Sequence, residues 1–409
     1  MKPKIYIVIP TRNRFEFLQD SIKTCINQDY DNLEIIISDN ASDDETPSIV
    51  EIFKDKRITF QRSEKTLPML YSWEFALSAV NEPGFVHFMG DDNGVTKDAT
   101  SRLLDLIEKT KLKIFLSAPI EYTWPNNTVK DGYLSIPKGK KTFVIKSKSM
   151  LKAAYNLNVG FNRLPTINQA FIHTSVIDKV KKYFDGNYFI ASNPDVCSAV
   201  ANAMVEDEYV YTQIPFMING ASSKSNGMQG GNLNSKSTFV TENIDGGYKY
   251  HPLFPPSKSY YLNVYEAFAK VSEVMKTKNN HHYKLNYKKV YKKFKNIEYN
   301  QNKKYWLYDD LVSFGKLINI KEKIKKHDLI DVVVDPTNNS KRIIKNESDK
   351  ISFFSNYISL KNISTVSELV NDILGNSKIL DSFYYKEGFK KRLKDFITFS
   401  ILIKSKIVK

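Results

Sequence analysis

Apolar residues in the first part of the chain follow two alternating spacings. Short runs rich in β-branched residues, which suit buried strands, are separated by stretches whose apolar residues recur every three or four positions, as on a helix. Strands that alternate with helices predict the α/β class, with a mostly parallel sheet covered by helices. The predicted strands are 4–10, 33–39, 57–62, 84–90 and 113–119, and the predicted helices between them include 15–28, 42–53 and 69–80.

The pattern is less regular further along the chain. Residues 121–145 carry Pro, Asn and Gly between aromatic and β-branched runs, which predicts a hairpin or a mobile loop. Residues 167–177 predict a strand leading into a helix, and 193–205 begin with Asn-Pro and continue as a helix. Residues 209–218 are the last strand-like run.

From about residue 257 the spacing becomes mainly helical, and a polar, Gly-rich loop separates this part from the strands. We therefore expect two domains: an α/β domain over residues 1–256 and a basic, mainly α-helical domain over 257–409. A chain of 409 residues with 42% hydrophobic residues is long enough to fill both cores.

Charge is concentrated in the second of these parts. The whole chain has a formal net charge of +15, of which residues 261–409 contribute +14. This asymmetry predicts an anionic partner, either nucleic acid or an acidic lipid surface, and solvated helix faces are the alternative. Aromatic and lysine residues interleave over 283–296, as in nucleic-acid-binding segments, but no recognition motif accompanies them, so nucleic acid is the less favoured partner.

Cysteine content and hydropathy suggest the compartment. Cys25 and Cys197 form neither a disulfide framework nor a metal-binding CxxC pair, which favours a reducing environment. No apolar run reaches the length of a membrane span. We therefore expect a cytoplasmic protein, peripheral at the inner face of the cell membrane if its basic part binds lipid.

Polar clusters follow three of the predicted strands. They are Thr11–Arg14, Asp39–Asp44 and Asp91–Asn93. The carboxyl ends of parallel strands meet at one edge of a sheet, where ligands bind. Asp91 and Asp92 are adjacent and repel each other, so this turn needs either solvent or a cation.

The motifs IVIPTRNR, IIISDNASDD and HFMGDDN, in this order, resemble the nucleotide-sugar-dependent glycosyltransferases of family 2, which have the GT-A fold. The resemblance covers roughly residues 4–230. It implies an inverting enzyme that takes a sugar from a nucleotide-sugar donor, with a UDP-sugar favoured, and transfers it to a saccharide or lipid-linked saccharide acceptor. It also implies synthesis of a bacterial cell-surface polysaccharide such as capsule or O-antigen.

The resemblance implies a Mg²⁺ or Mn²⁺ cofactor at the DXD-type turn. Asp92 is the expected metal ligand, and Asp91 contacts ribose or supports the ion. Asn93 stands where many family members carry another acid, which puts a strict metal requirement in question. His251 is a candidate third ligand, and a structural histidine is the alternative.

Further residues would bind the nucleotide. Asp39 matches the acid that hydrogen-bonds the nucleobase, and a local turn with Ser42 is the alternative. Pro10 and Thr11 would line the same pocket, while Arg14 would reach phosphate or lie on the surface. In the later polar loop, Ser222–Ser225 would close over the diphosphate, and a simple Ser/Gly-rich connector is the alternative.

An inverting reaction requires a base that deprotonates the acceptor hydroxyl, commonly Asp or Glu. Asp195 lies in a segment that resembles the one where many family members carry this carboxylate. Asp in the first turn of a helix is also favourable for electrostatic reasons alone. Glu206 and Asp207 are the reserve candidates.

Two alternatives remain at the level of the whole chain. The first is a non-catalytic protein that binds a sugar nucleotide or glycan, or acts as a scaffold, on the same fold. The second concerns the last predicted helix, which would dock on an anionic membrane or pack on its own domain or a second subunit. Its apolar and basic residues are Phe389, Leu393, Phe396, Ile397 and Leu402 beside Lys390, Lys391, Arg392 and Lys394.

Overall fold

The computed structural model describes most of the α/β part and sections of the C-terminal part. The described residues are 2–125, 132–225, 239–278, 283–302, 304, 307–322, 326, 350–354 and 362–375. The last predicted helix, the basic segment after residue 385, therefore lies outside the described residues.

Thirteen strands and twelve α-helices, together with 3₁₀ turns at Thr46–Ser48 and Phe161–Arg163 and a π-helix at Lys295–Gln301, account for the regular structure of these residues. The strands are β1 (Lys4–Thr11), β2 (Leu33–Asp39), β3 (Ile58–Arg62), β4 (Gly84–Phe88), β5 (Gly94–Val95), β6 (Ile114–Ser117), β7 (Ile120–Thr123), β8 (Tyr133–Pro137), β9 (Thr142–Lys146), β10 (Ala170–His173), β11 (Glu208–Thr212), β12 (Met217–Ala221) and β13 (Lys350–Phe354). The helices are α1 (Phe15–Ile26), α2 (Ile49–Ile52), α3 (Met69–Leu77), α4 (Ala99–Thr110), α5 (Ser147–Tyr155), α6 (Thr174–Tyr183), α7 (Pro194–Val205), α8 (Phe239–Asp245), α9 (Tyr260–Lys278), α10 (Tyr287–Phe294), α11 (Tyr308–Leu317) and α12 (Ile363–Gly375).

Eight strands form the main sheet, in the order β3-β2-β1-β4-β10-β6-β11-β9. The first four are mutually parallel, and β6 is parallel to β11. Strand β10 is antiparallel to both of its neighbours, and the edge strand β9 is antiparallel to β11. The predicted α/β class is therefore confirmed, with a mixed, mostly parallel sheet.

Helices cover both faces of this sheet because alternate side chains of each strand point to opposite sides. In β1, Tyr6 and Val8 join a core that includes residues from α3, α5, α7 and α9. Ile5, Ile7 and Ile9 join a second core with residues from α1 and α4. All five of these β1 side chains are fully buried. This explains why the strand is a continuous apolar run.

A second, five-stranded sheet has the order β13-β8-β7-β12-β5. Strands β7 and β8 pair antiparallel, which confirms the hairpin predicted within residues 121–145. The run 209–218 was expected to be one strand, and this expectation was wrong. It divides between β11 in the main sheet and β12 in the second sheet, since Pro215 interrupts the run and cannot donate a ladder hydrogen bond.

One predicted helix is also much shorter than expected. Residues 42–53 contain only a 3₁₀ turn at Thr46–Ser48 followed by α2. Ser42 does not begin this helix, because its backbone N–H donates to Asp39 and its hydroxyl accepts from the Asn13 N–H. These contacts hold the segment against the end of β2.

The region after residue 257 is mainly helical where it is described, as predicted. Helix α9 packs on α7, and α10 packs on both α9 and α11. Helix α12 instead returns to the N-terminal part and packs on α1 and β5. In the described part of the chain, every helix falls short of the length and apolarity that a membrane crossing requires. The division proposed at residue 257 remains a prediction.

Candidate active site

The carboxyl ends of the parallel strands bring the predicted clusters together. Thr11 and Asp39 are paired residues at the ends of β1 and β2. The Met89 N–H donates to the Val8 carbonyl, so the chain after β4 runs beside the end of β1. Asp91 therefore lies next to Thr11. A cavity of about 800 Å³ opens at this edge, and Pro10, Thr11, Arg14, Asp91 and Asp92 are among its lining residues.

Both carboxylate oxygens of Asp91 accept hydrogen bonds from the first cluster. Thr11 Oγ1 donates to Oδ2 at 2.8 Å, and Arg14 Nη1 donates to Oδ1 at 2.9 Å. Asp91 is buried, and most of the Arg14 side chain is covered as well. Arg14 therefore does not lie on the surface. Its guanidinium lies beside one of the two carboxylates of the turn and so offsets part of the negative charge there.

Asp92 has different partners. Its Oδ2 accepts from the backbone N–H of Ser222 at 3.2 Å and from the Ser222 hydroxyl at 2.7 Å. Burial and the neighbouring Asp91 charge together raise the pKa of Asp92, because both disfavour its ionised form. A bound cation would act in the opposite direction.

Backbone contacts fix the shape of this carboxylate turn, by which we mean residues 91–93. Ser21 Oγ on α1 lies 2.7 Å from the Asp91 carbonyl and 2.5 Å from the Asn93 carbonyl, so one hydroxyl serves both. The Trp124 indole N–H donates to the Asp92 carbonyl at 2.9 Å. Asn93 Oδ1 accepts from the Gly220 N–H at 2.8 Å. Asn93 thus connects the carboxylate turn to strand β12.

The turn suits a divalent cation that is held mainly by its substrate. Asp91 uses both oxygens for Thr11 and Arg14, whereas the described residues supply donors to only one oxygen of Asp92. Mg²⁺ commonly binds one or two carboxylates and completes its octahedron with phosphate oxygens and water. Asp92 Oδ1 is the oxygen that fits this role. Within the described residues, no group of three or more His, Cys, Asp or Glu side chains is arranged as a complete metal site.

His251 is placed away from the carboxylate turn. It is not among the residues that line the cavity, and its Nε2 lies 3.4 Å from Glu273 Oε2. Its Nδ1 accepts from the Leu253 N–H, and its ring packs on Phe254. Burial lowers the pKa of His251. In this structure, His251 therefore has the local contacts of the structural alternative.

Asp39 is fully buried and has two partners inside the protein. Its Oδ1 accepts from the Ser42 N–H at 3.0 Å, and its Oδ2 pairs with the Arg62 guanidinium. The local turn with Ser42 therefore forms. The next residue, Asn40, lines the cavity and pairs through its amide with both backbone groups of Leu67. A nucleobase contact by Asp39 remains a prediction.

Asp195 lies in the first turn of α7, beside the cavity. Thr166 Oγ1 lies 2.9 Å from the Asp195 carbonyl and 2.6 Å from Oδ1 of Asn168, which lines the cavity. Asp195 Oδ1 accepts from the Val196 N–H at 2.8 Å. Burial raises the pKa of Asp195 to about 6, because the loss of hydration disfavours the charged form by more than the hydrogen bond from the Val196 N–H stabilises it.

The reserve candidates lie at the other end of the same helix. Glu206 is eleven residues beyond Asp195, which places it roughly 16 Å further along the helix axis. It pairs with Lys179 at 2.6 Å, and the backbone carbonyl of Asp207 accepts from Ser147. Neither lines the cavity.

Several cavity residues were missed by the sequence reasoning. Trp73 on α3 packs on Phe88 and Phe189 and presents an aromatic wall to the cavity. Glu242 on α8 pairs with Arg12 at 3.0 Å. No local motif marks these two residues, because only the packing of α3 and α8 on the sheet edge brings them to the cavity. In the polar loop, Ser222 contacts Asp92 rather than the cavity space, and Lys224 pairs with Glu16 at 2.9 Å.

Comparisons with known proteins find similar sequences. Residues 6–163 match the sequence profile of the family described as Glycosyl transferase family 2. A Campylobacter jejuni protein, GalNAc(5)-diNAcBac-PP-undecaprenol beta-1,3-glucosyltransferase, is 32% identical over 162 residues, which are 38% of this chain and 49% of the relative. An uncharacterized glycosyltransferase of Haemophilus influenzae is 40% identical over 58 residues, which are 14% of this chain and 23% of the relative. The chain thus spans about half or less of the length of these curated relatives.

Solved structures were compared over longer stretches at low identity. S. aureus TarS 1-349 in complex with UDP-GlcNAc is 12% identical with a TM-score of 0.43, and the match covers 77% of this chain and 81% of TarS 1-349. The mannosyltransferase PcManGT from Pyrobaculum calidifontis, in complex with GDP-Man and Mn2+, is 16% identical with a TM-score of 0.39. That match covers 79% of this chain and 89% of the mannosyltransferase.

Proposed function

Because the N-terminal part of this chain belongs to glycosyl transferase family 2, within a GT-A type α/β fold, we propose that the protein is an inverting glycosyltransferase. It transfers a sugar from a nucleoside-diphosphate sugar, with a UDP-sugar favoured, to a saccharide or lipid-linked saccharide. The observation that carries this proposal is the joint placement of Thr11, Arg14, Asp91 and Asp92 at the wall of one cavity. This cavity has the volume that small-molecule sites commonly have.

The donor diphosphate would lie against the carboxylate turn. Asp92 Oδ1 would hold Mg²⁺ or Mn²⁺, while Asp91, neutralised by Arg14, supports the turn. When bound, the cation neutralises the negative charge that develops on the leaving diphosphate. Pro10 and Thr11 would line the nucleotide side of the pocket, above Asp39.

Asp195 would act as the general base toward the acceptor hydroxyl. Its raised pKa, about 6, brings it close to the value at which a base is both ionised and effective near neutral pH. It borders Asn168 at the cavity wall, and the reserve candidates Glu206 and Asp207 lie at the far end of α7. The geometry therefore favours Asp195 among the three carboxylates.

A lipid-linked acceptor is supported by the Campylobacter jejuni relative, whose name specifies a saccharide on PP-undecaprenol. An acceptor of this kind lies at a membrane, where the basic C-terminal part of the chain would find anionic lipid. We therefore place the enzyme in the cytoplasm, peripheral at the inner membrane face, in the synthesis of a surface polysaccharide.

Calorimetric titration tests the donor site. We expect the protein to bind one of UDP, dTDP and GDP, UDP being favoured, and to need Mn²⁺ for this binding. Asp92→Asn should weaken metal-dependent binding by about a hundredfold or more, since it removes the anionic ligand. The matched control is Asp43→Asn, which changes an exposed carboxylate near the same sheet edge. Equal binding by Asp92→Asn and wild type would remove the metal assignment, and no binding of any nucleotide would refute the proposed donor class.

A further inference from the structure

Helix α12 lies far outside the matched residues 6–163, yet it packs beside the carboxylate turn. Its residues Ile363, Val366 and Val370 belong to one buried cluster with Trp124, which directly follows β7 of the second sheet. The same cluster contains apolar residues of β7, β8 and β12, and Phe17 of α1 packs against it. The helix therefore closes the core of the second sheet, which without α12 would expose this apolar surface.

Polar contacts join α12 to the strand that directly follows the turn. Ser367 is buried, and its Oγ donates to the Val95 carbonyl in β5 at 2.9 Å. Ser364 Oγ lies 3.3 Å from Asp20 Oδ1 on α1. A side chain at Gly94 would have its Cβ 3.2 Å from Ile363, so the helix approaches the β5 backbone closely. Strand β5 begins at Gly94, immediately after Asn93. The contacts with α12 therefore fix the strand that directly follows the carboxylate turn.

The second sheet in turn holds the carboxylate turn by three contacts. The Trp124 indole donates to the Asp92 carbonyl, Gly220 donates to Asn93, and Ser222 donates to the Asp92 carboxylate. A Cβ atom at Gly220 would lie only 1.8 Å from the Asp92 carbonyl oxygen. This separation is far below any van der Waals contact, so the strand and the turn have no room to approach differently.

We propose that α12 is a positioning element for Asp92, which acts through β5 and through the packing around Trp124. This inference rests on the proposed role of Asp92 as metal ligand. It assigns to the C-terminal part of the chain an indirect contribution to the donor site, through β5 and Trp124. Asn93 has the same kind of role within the turn, since its side-chain oxygen receives the Gly220 N–H.

The indole N–H resonance of Trp124 gives a readout that does not depend on activity. In the ¹⁵N-labelled full chain, the resonance is assigned by its loss in Trp124→Phe. The indole resonance of Trp73 serves as an internal reference, because Trp73 packs on the main sheet in the cavity wall. Val366→Ala and Ser367→Ala should each shift the Trp124 resonance and weaken Mn²⁺-dependent UDP binding by about tenfold. Glu368→Gln, which changes an exposed residue of the same helix, should alter neither.

Gly220→Ala serves as the direct perturbation of the turn, and it should shift the same resonance and abolish metal-dependent binding. Thermal unfolding of every variant separates a local effect from loss of the fold. If Val366→Ala fails to fold, Ser367→Ala still tests the proposal, because it removes only one hydroxyl. An unchanged Trp124 resonance in Ser367→Ala, or a shifted resonance with wild-type UDP affinity, would overturn the positioning role. If the wild-type protein binds no nucleotide, the donor assignment fails, and the resonance alone then decides whether α12 acts on the turn.

Discussion

Asp91 and Asp92 are neighbours in sequence, and their surroundings give them different roles. Asp91 pairs with the Arg14 guanidinium and accepts a hydrogen bond from the Thr11 hydroxyl at the end of β1. Asp92 accepts its hydrogen bonds from Ser222, and burial together with the Asp91 charge raises its pKa, so it gains more from a bound divalent cation. The repulsion that two adjacent carboxylates create is thus offset by Arg14 on one side and, in our proposal, by the metal on the other.

The role of Asp195 gives a prediction for a single residue. Asp195→Asn should leave UDP and Mn²⁺ binding unchanged, because the side chain is not among those lining the donor cavity. Turnover should fall by about a hundredfold or more, as expected for loss of a general base. The measurement is kcat with a saccharide acceptor beside calorimetric donor binding. Near-normal turnover would transfer the base role elsewhere, and Glu206→Gln is the control at the other end of α7.

The raised pKa of Asp195 also predicts a pH dependence. The base must be ionised, so kcat should rise with pH up to about 6 and then level off. The contribution of Asp195 to the free energy of unfolding should change with pH in the opposite direction. The folded protein holds the Asp195 proton more tightly than the unfolded chain, so this group's contribution to stability declines as pH rises from about 4 to 6.

Urea unfolding at pH 4.5 and at pH 7 measures this second effect. Asp195→Asn should be more stable than wild type at pH 7, by up to about 3 kcal/mol, and this difference should fall to about 1 kcal/mol at pH 4.5. The comparison between variant and wild type cancels the titration of other groups. An equal difference at both pH values would show that Asp195 has an ordinary pKa.

At the scale of elements, α7 depends on one buried amide for its position against the cavity wall. Asn202 Nδ2 donates to the Pro165 carbonyl at 2.9 Å, and its Oδ1 accepts from the Tyr188 hydroxyl at 2.9 Å. Both Asn202 and Tyr188 are fully buried. Pro165 directly precedes Thr166, which contacts Asp195. The amide therefore connects α7 to the loop that carries Asn168.

Removing this amide should be costly. Asn202→Ala leaves a buried hydroxyl and a buried carbonyl without partners, and we expect the free energy of unfolding to fall by about 2–4 kcal/mol. Urea denaturation measures the change. The comparison variant is Glu206→Gln, which breaks the ion pair with Lys179 and should cost only about 0–1 kcal/mol because half of the Lys179 side chain is exposed to solvent. Equal effects would contradict the assigned role of Asn202.

At the scale of the whole molecule, we propose two separable roles for the basic C-terminal part. Helix α12 belongs to the core of the second sheet, whereas residues 386–409 lie outside the described residues and are expected from their sequence to bind anionic lipid. A chain that ends at Tyr385 keeps α12 and loses only this last segment. The two roles can therefore be tested independently.

Sedimentation with anionic vesicles tests the second role. The chain that ends at Tyr385 should bind vesicles containing phosphatidylserine more weakly than the full chain by about tenfold, and UDP binding should be unchanged. Neutral vesicles serve as the lipid control. The variant K390E/K391E, which keeps the apolar residues, should show an intermediate loss. Unchanged sedimentation would indicate that the last segment packs on protein instead.

Much of the fold follows from local pattern. The strands β1, β2 and β4, the helices α1 and α7, and the polar clusters at the strand ends were all predicted, because hydrophobic periodicity and turn residues are local properties. Their grouping at one edge also followed, since parallel strands align their carboxyl ends. The second sheet, the division of 209–218 and the short α2 were not predicted, since side-chain contacts with distant segments decide them.

The sequence by itself determined the fold class of this protein and the identity of the carboxylates at its candidate site, because strand spacing and strand-end motifs require only neighbouring residues. Tertiary structure decided which groups surround those carboxylates. Arg14 pairs with Asp91, Ser222 and Trp124 hold Asp92, and His251 lies apart from both. Contacts of this kind join residues up to 130 positions apart in the chain, so they depend on packing rather than on any local pattern. The return of α12 to the N-terminal part gives still longer-range examples, since it joins Ser367 to Val95 and Ser364 to Asp20.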